Sequence, residues 1–266
     1  MKTALTIAGS DPTGGAGAQL DLGVFRKIGV YGLSAITAVT AQNTKGVRDI
    51  FPLPLHVVRG QISTVLDDIR IDAIKTGMLY SKDVAGVVSE IEREDNRIPL
   101  VVDPVTISSS GCPLTIDGNI EELLSPLLPL TTVITPNVYE ASLLSGVRIE
   151  GIEDMERAAR ALRSRGPGVV IITGRRLSEP DPGDLQKSPS GITLDLYYDG
   201  IGFHRLESEL YPGEYHGTGC AFSSAITAYL ALGKNSLQAA RLAKNLVTDA
   251  IRRAYKPGHG MGLLRV

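Results

Sequence analysis

Short runs rich in Val, Ile and Thr recur along the chain, at residues 4–8, 33–39, 73–75, 100–102, 132–135 and 169–173. They are nearly continuous in apolar character, which is the signature of parallel strands buried on both faces. Between them lie amphipathic stretches at residues 19–28, 57–69, 84–93, 155–165 and 223–232. Strand–helix alternation of this kind predicts an α/β fold, a parallel sheet covered by helices. No fixed-period repeat or heptad pattern runs through it.

The 266 residues suffice for a full core without disulfide or metal, and one domain spanning 1–266 is expected. Lys and Arg total 27 against 29 Asp and Glu, so the formal net charge is −2. That balance gives no electrostatic footprint for nucleic acid or anionic lipid. Two cysteines outside any C-x-x-C pair point to a reducing compartment. No signal-peptide core or membrane-length apolar run is present, so a cytoplasmic protein is expected. Residues 177–190, with three prolines, read as an exposed excursion, and residues 192–205 as a hairpin turning at Asp199-Gly200.

Nearly every strand ends in a small or polar cluster, where open α/β sheets bind ligands. The first, residues 9–17, carries four glycines but matches neither a dinucleotide fingerprint nor a Walker loop. A stronger signal is Tyr215-His-Gly-Thr-Gly-Cys-Ala221, which opens an apolar helix. Gly217 and Gly219 can present successive N–H groups to an anion, reinforced by the helix N-terminus. The same field favours a thiolate at Cys220, making it a candidate base. Asp103 and Glu140 stand at strand ends and suit Mg²⁺, with Asn137 and Glu140 at i, i+3 on one helical face. The four histidines have no metal spacing, and no G-x-S-x-G elbow occurs.

These blocks resemble the hydroxymethylpyrimidine/phosphomethylpyrimidine kinases of thiamine biosynthesis, within the ribokinase-like superfamily. The matching segments are residues 5–17, 36–44, 75–79, 103–105, 135–141 and 216–225, in order along the whole domain. The resemblance implies a central, mostly parallel sheet flanked by helices on both faces, and a homodimer. It implies two successive phosphorylations of 4-amino-5-hydroxymethyl-2-methylpyrimidine by ATP with Mg²⁺. Gln42 would read the aminopyrimidine edge, with Gly9, Met78 and Asp21 also on the substrate side. Cys220 would be the base, with Gly217 through Cys220 as the anion hole. Asn137, Thr173, Thr218 and Lys244 would lie toward the nucleotide, and Asp103 and Glu140 would organise Mg²⁺.

Two departures from the family pattern stand out. A Lys-Gly-Gly-His segment common in relatives is Thr173-Gly-Arg-Arg176 here, and residues 106–111 are polar where a methionine is frequent. The alternative on the same scaffold is a pyridoxal or pyridoxine kinase.

Overall fold

In the computed structural model the described residues are 1–94, 98–108, 111–116, 119–176 and 191–266. The chain opens with β1 (Thr3–Ser10), α1 (Gly17–Ile28), β2 (Tyr31–Asn43), β3 (Gly46–Pro52) and α2 (Leu55–Asp68). It continues through β4 (Ala73–Thr76), α3 (Lys82–Glu94), β5 (Leu100–Val102), α4 (Ile120–Leu124), β6 (Val133–Ile134), α5 (Val138–Ser145) and α6 (Ile152–Arg163). The last part holds β7 (Val169–Arg176), β8 (Ile192–Tyr198), β9 (Phe203–Glu209), β10 (Tyr215–His216), α7 (Thr218–Ala231), α8 (Ser236–Arg252) and β11 (Gly262–Leu263).

Among the described residues, nine strands form one sheet in the order β3-β2-β1-β4-β5-β6-β7-β8-β9. The strands from β2 to β7 are parallel, and β3, β8 and β9 add antiparallel edges. Successive side chains on each inner strand feed opposite cores. Leu100 and Val102 pack with α2 to α6 on one face, while Val101 packs with α1, α7 and α8 on the other. Val170 and Ile172 against Val169 and Ile171 repeat the division on β7. This two-sided burial is why the inner strands read as continuous apolar runs.

The expected α/β architecture is present, with local differences. β2 runs well past the 33–39 segment because its outer half pairs only with β3 and has a wet face, so its polar residues fit an edge. The 192–205 hairpin forms as β8 and β9, its turn closed by Asp199 Oδ1 accepting from the N–H groups of Ile201 and Gly202. The 177–190 excursion lies outside the described residues. Near the C-terminus, β11 pairs with β10, and the N–H groups of Gly260 and Met261 donate to Thr44, beside the β2–β3 turn.

Candidate active site

The loops after β1, β4, β5, β6 and β7 converge on the start of α7. They enclose a cavity of about 400 Å³, lined among others by Gly9, Gln42, Met78, Asp103, Asn137, Glu140 and Cys220. A second cavity of about 380 Å³ lies against β7, β8 and α8 and is lined by Arg176, Asp195 and Lys244. Thr173, Gly174, Thr218 and Gly219 line both, so the two spaces meet at the first turn of α7. Twelve of the thirteen expected site residues thus fall on this double cavity.

Gly217 caps α7 in the left-handed region with φ 80°, and no side chain caps the helix. A Cβ there would lie 1.9 Å from the Gly15 carbonyl oxygen, so the two glycine loops touch only because position 217 lacks a side chain. The first-turn N–H groups of α7 remain available for an anion, backed by the helix dipole.

Asp21 is the exception. It is fully buried and lines neither cavity. Its carboxylate accepts from Thr6 Oγ1 (2.5 Å), Ser224 Oγ (2.5 Å) and Lys75 Nζ (2.8 and 3.0 Å). A carboxylate so engaged is a buried counter-ion behind the wall, not a substrate contact. Lys75 is also fully buried, 4.0 Å from Asp103 Oδ2, and lines the first cavity. Burial works against its charge, but Asp21, Cys220 and Asp103 more than offset that and hold it protonated above the usual range.

The expected thiolate at Cys220 does not survive the geometry. Burial, aided by the Asp103 and Asp21 charges, pushes the thiol up to about 12, with Lys75 pulling the other way. The resting thiol is protonated, and it hydrogen-bonds Asp103. Burial also raises the Asp103 carboxyl, against Lys75 and a 3.0 Å bond from Ser223 Oγ.

Glu140 closes a capping box on α5: its Oε2 accepts from the Asn137 N–H at 2.9 Å, and Asn137 Oδ1 accepts from the Glu140 N–H. Burial, then the Asp103 charge, pushes Glu140 up to about 8. Two buried carboxylates, Glu140 raised by the charge of Asp103, offer the hard, anionic oxygens that Mg²⁺ takes, so the donor set fits that ion. Among the described residues no group of three or more His, Cys, Asp or Glu converges, so water and phosphate would complete the coordination.

On the other side, Lys244 Nζ pairs with Asp195 Oδ2 at 2.9 Å, and Asp195 Oδ1 accepts from the Gly174 N–H. Of the two arginines replacing the usual lysine segment, Arg176 lines this cavity while Arg175 donates to the Glu150 carbonyl. Sequence reasoning missed Lys75, Asp11, His216 and Asp195 as parts of the site. A lysine inside a buried apolar strand was the available signal for Lys75, because such a charge demands a partner.

Two cavities meeting over a helix N-terminus, at the carboxyl ends of a ribokinase-like sheet, define a kinase of small molecules. The chain matches the phosphomethylpyrimidine kinase family over residues 11–265, and it belongs to that family. It is similar to the hydroxymethylpyrimidine/phosphomethylpyrimidine kinase of Bacillus subtilis, 41% identical over 97% of this chain and 92% of the relative. Pyridoxal kinase from Staphylococcus aureus, solved with pyridoxal, superposes with a TM-score of 0.86 at 37% identity, covering 100% of this chain and 93% of that one. Phosphomethylpyrimidine kinase from Clostridium difficile gives 0.78 at 39%, covering 94% and 100%.

Proposed function

We propose that the protein phosphorylates 4-amino-5-hydroxymethyl-2-methylpyrimidine with ATP, first to the monophosphate and then to the diphosphate, in thiamine diphosphate biosynthesis. The observation that carries this is the shared edge at Thr218 and Gly219, where the cavity lined by Gln42 and Met78 meets a second cavity lined by Arg176 and Lys244, cations for a nucleotide. Gln42 reads the ring edge, since an amide offers a donor and an acceptor side by side. Gly9 and Met78 line the ring. Asn137, Thr173, Thr218 and Lys244 face the nucleotide.

Positioning and electrostatic stabilisation supply most of the rate in phosphoryl transfer. The α7 N-terminus from Gly217 to Cys220 faces the transferring group. Asp103 and Glu140 would hold Mg²⁺, which neutralises phosphate charge when bound. In a loose transition state the attacking oxygen keeps its proton until late. Cys220 takes that proton as its own passes to Asp103, so no preformed thiolate is needed.

Pyridoxal is the second reading, favoured by the 0.86 superposition on the Staphylococcus aureus enzyme. A phosphorus NMR time course with ATP and Mg²⁺ separates them. A monophosphate converting to a diphosphate on the aminopyrimidine is the expected result, and product from pyridoxal alone would overturn it.

The chain functions in the cytoplasm, a reading supported by its two free thiols. Among the described residues, no helix is long and apolar enough to cross a membrane. It pairs with a second copy through the β2–β3 edge, where Val39 and Phe51 stand opposite one another, 45% and 66% exposed.

A further inference from the structure

Asp11, Gln42 and His216 come from distant parts of the chain and meet at one wall of the acceptor cavity. His216 Nε2 lies 2.9 Å from Asp11 Oδ2 and also 2.9 Å from Gln42 Nε2. One ring nitrogen cannot donate to a carboxylate and accept from an amide at once. The surroundings of Asp11 decide between the two. Thr13 donates to it twice, from its N–H at 2.8 Å and its hydroxyl at 2.9 Å, and the Gly15 N–H donates to that hydroxyl. The two Thr13 donors favour the ionised form of the Asp11 carboxyl against its burial. An ionised carboxylate needs a donor, so His216 carries its proton on Nε2.

The amide nitrogen of Gln42 cannot then face that N–H. At the other end of the amide, Gln42 Oε1 lies 3.2 Å from Thr40 Oγ1, whose one proton already goes to the Ser10 carbonyl at 2.9 Å. A half-turn of the amide, whose oxygen and nitrogen occupy equivalent positions, cures both mismatches together. His216 then donates to both Asp11 and the Gln42 carbonyl, and the Gln42 NH₂ donates to Thr40. The ring is held from behind as well. A Cβ on Gly15 would lie 2.7 Å from His216 Cδ2, and the β10–β11 pairing sets His216 against Leu263.

We infer that Asp11, His216 and Thr40 lock the Gln42 amide with its carbonyl toward His216, and thereby dictate which way round a ligand's donor–acceptor edge must lie. The inference rests on Gln42 as the ring reader. His216 and Asp11 are positioning residues here. The bound ring must place its amino donor on the His216 side and its acceptor nitrogen on the Thr40 side. A 4-oxo pyrimidine alcohol, with a carbonyl acceptor and a ring N–H donor, presents the reverse order and sets carbonyl against carbonyl and N–H against N–H.

The test compares kcat/KM for the 4-amino and 4-oxo alcohols in the wild type, Gln42→Leu, His216→Phe and Asp11→Asn. The wild type is expected to prefer the amino form by on the order of a hundredfold or more, as hydrogen-bonding sites do. His216→Phe unlocks the amide, so that preference falls at least about tenfold while the KM for ATP stays within about twofold. Asp11→Asn turns an NH₂ toward His216, moves the imidazole proton to Nδ1 and lowers the preference too. Nitrogen NMR of the imidazole reports that tautomer change directly. A merely structural defect would slow both alcohols alike and leave their ratio intact.

An undiminished ratio in both variants, or a wild-type Nε2 without a proton, overturns the lock. If His216→Phe does not fold, Asp11→Asn decides alone. Should the wild type show no preference, or Gln42→Leu leave the pyrimidine KM unchanged, the reading of Gln42 falls and the lock falls with it. A ratio lost in Gln42→Leu but kept in both other variants refutes the lock alone.

Discussion

At the scale of single residues, the chemistry turns on groups that burial has pushed away from their solution behaviour. Cys220 is held protonated, so its contribution depends on an acceptor that still has a proton to lose. The alcohol has one; the monophosphate, already anionic, does not need to give one up. Cys220→Ala is therefore expected to slow the first phosphorylation by about ten- to a hundredfold and the second far less. Equal losses in the two rates, followed separately by phosphorus NMR, would rule out the proton role. Lys75 and Asp21 form a buried ion pair, at 0% exposure on both side chains. Asp21→Ala strands a buried ammonium and should cost roughly 3–5 kcal/mol in a urea melt. Adding Lys75→Met should recover much of that loss, because removing both charges removes the desolvation cost. A double variant no more stable than the single would mean the pair is not what holds this corner.

Among the elements, α7 carries the most. Its glycine cap, its bare N–H groups and its thiol all sit in one turn, and that turn divides the two cavities. Gly217→Ala forces the cap off its left-handed conformation and into the Gly15 carbonyl, so the glycine loops must part. Loss of most kcat with a smaller change in ring binding is the expected outcome, measured by steady-state kinetics beside direct titration. Much of this element was legible beforehand, since glycine spacing ahead of an apolar helix is a local pattern. The inner strands were legible for a similar reason: burial on both faces leaves no room for polar residues. What escaped was contact between remote positions. Asp21 on a helix and Lys75 on a strand are 54 residues apart, and neither sequence neighbourhood reveals the other. The outer half of β2 was missed because an edge strand tolerates the polar residues that elsewhere mark a loop. The thiolate was expected because a helix N-terminus can be read from sequence, whereas the Asp103 and Asp21 charges that the fold brings beside the thiol cannot.

For the molecule as a whole, the sheet has unequal ends. The β8–β9 edge lies beside the second cavity, while the β2–β3 edge carries the facing, exposed pair Val39 and Phe51. Apolar side chains clustered on an edge strand are a liability in a lone subunit. On the proposed pairing through this edge, Phe51→Asp should shift the protein from dimer toward monomer in analytical ultracentrifugation, with its thermal melt then independent of concentration. An unchanged sedimentation coefficient would place the interface elsewhere.

The C-terminal segment gives this molecule a particular history during synthesis. Residues 260–263 tie down Thr44, two residues from Gln42, and pair with the strand that holds His216. Most of the sheet can assemble while the chain is still being made, yet the acceptor wall has to wait until residues 260–263 have left the ribosome. A nascent chain stalled before residue 260 should bind ATP analogues but not the pyrimidine, whereas one carried clear of the exit tunnel on a linker should bind both. The enzyme is thus kept from closing on its substrate until that segment has been made and has docked.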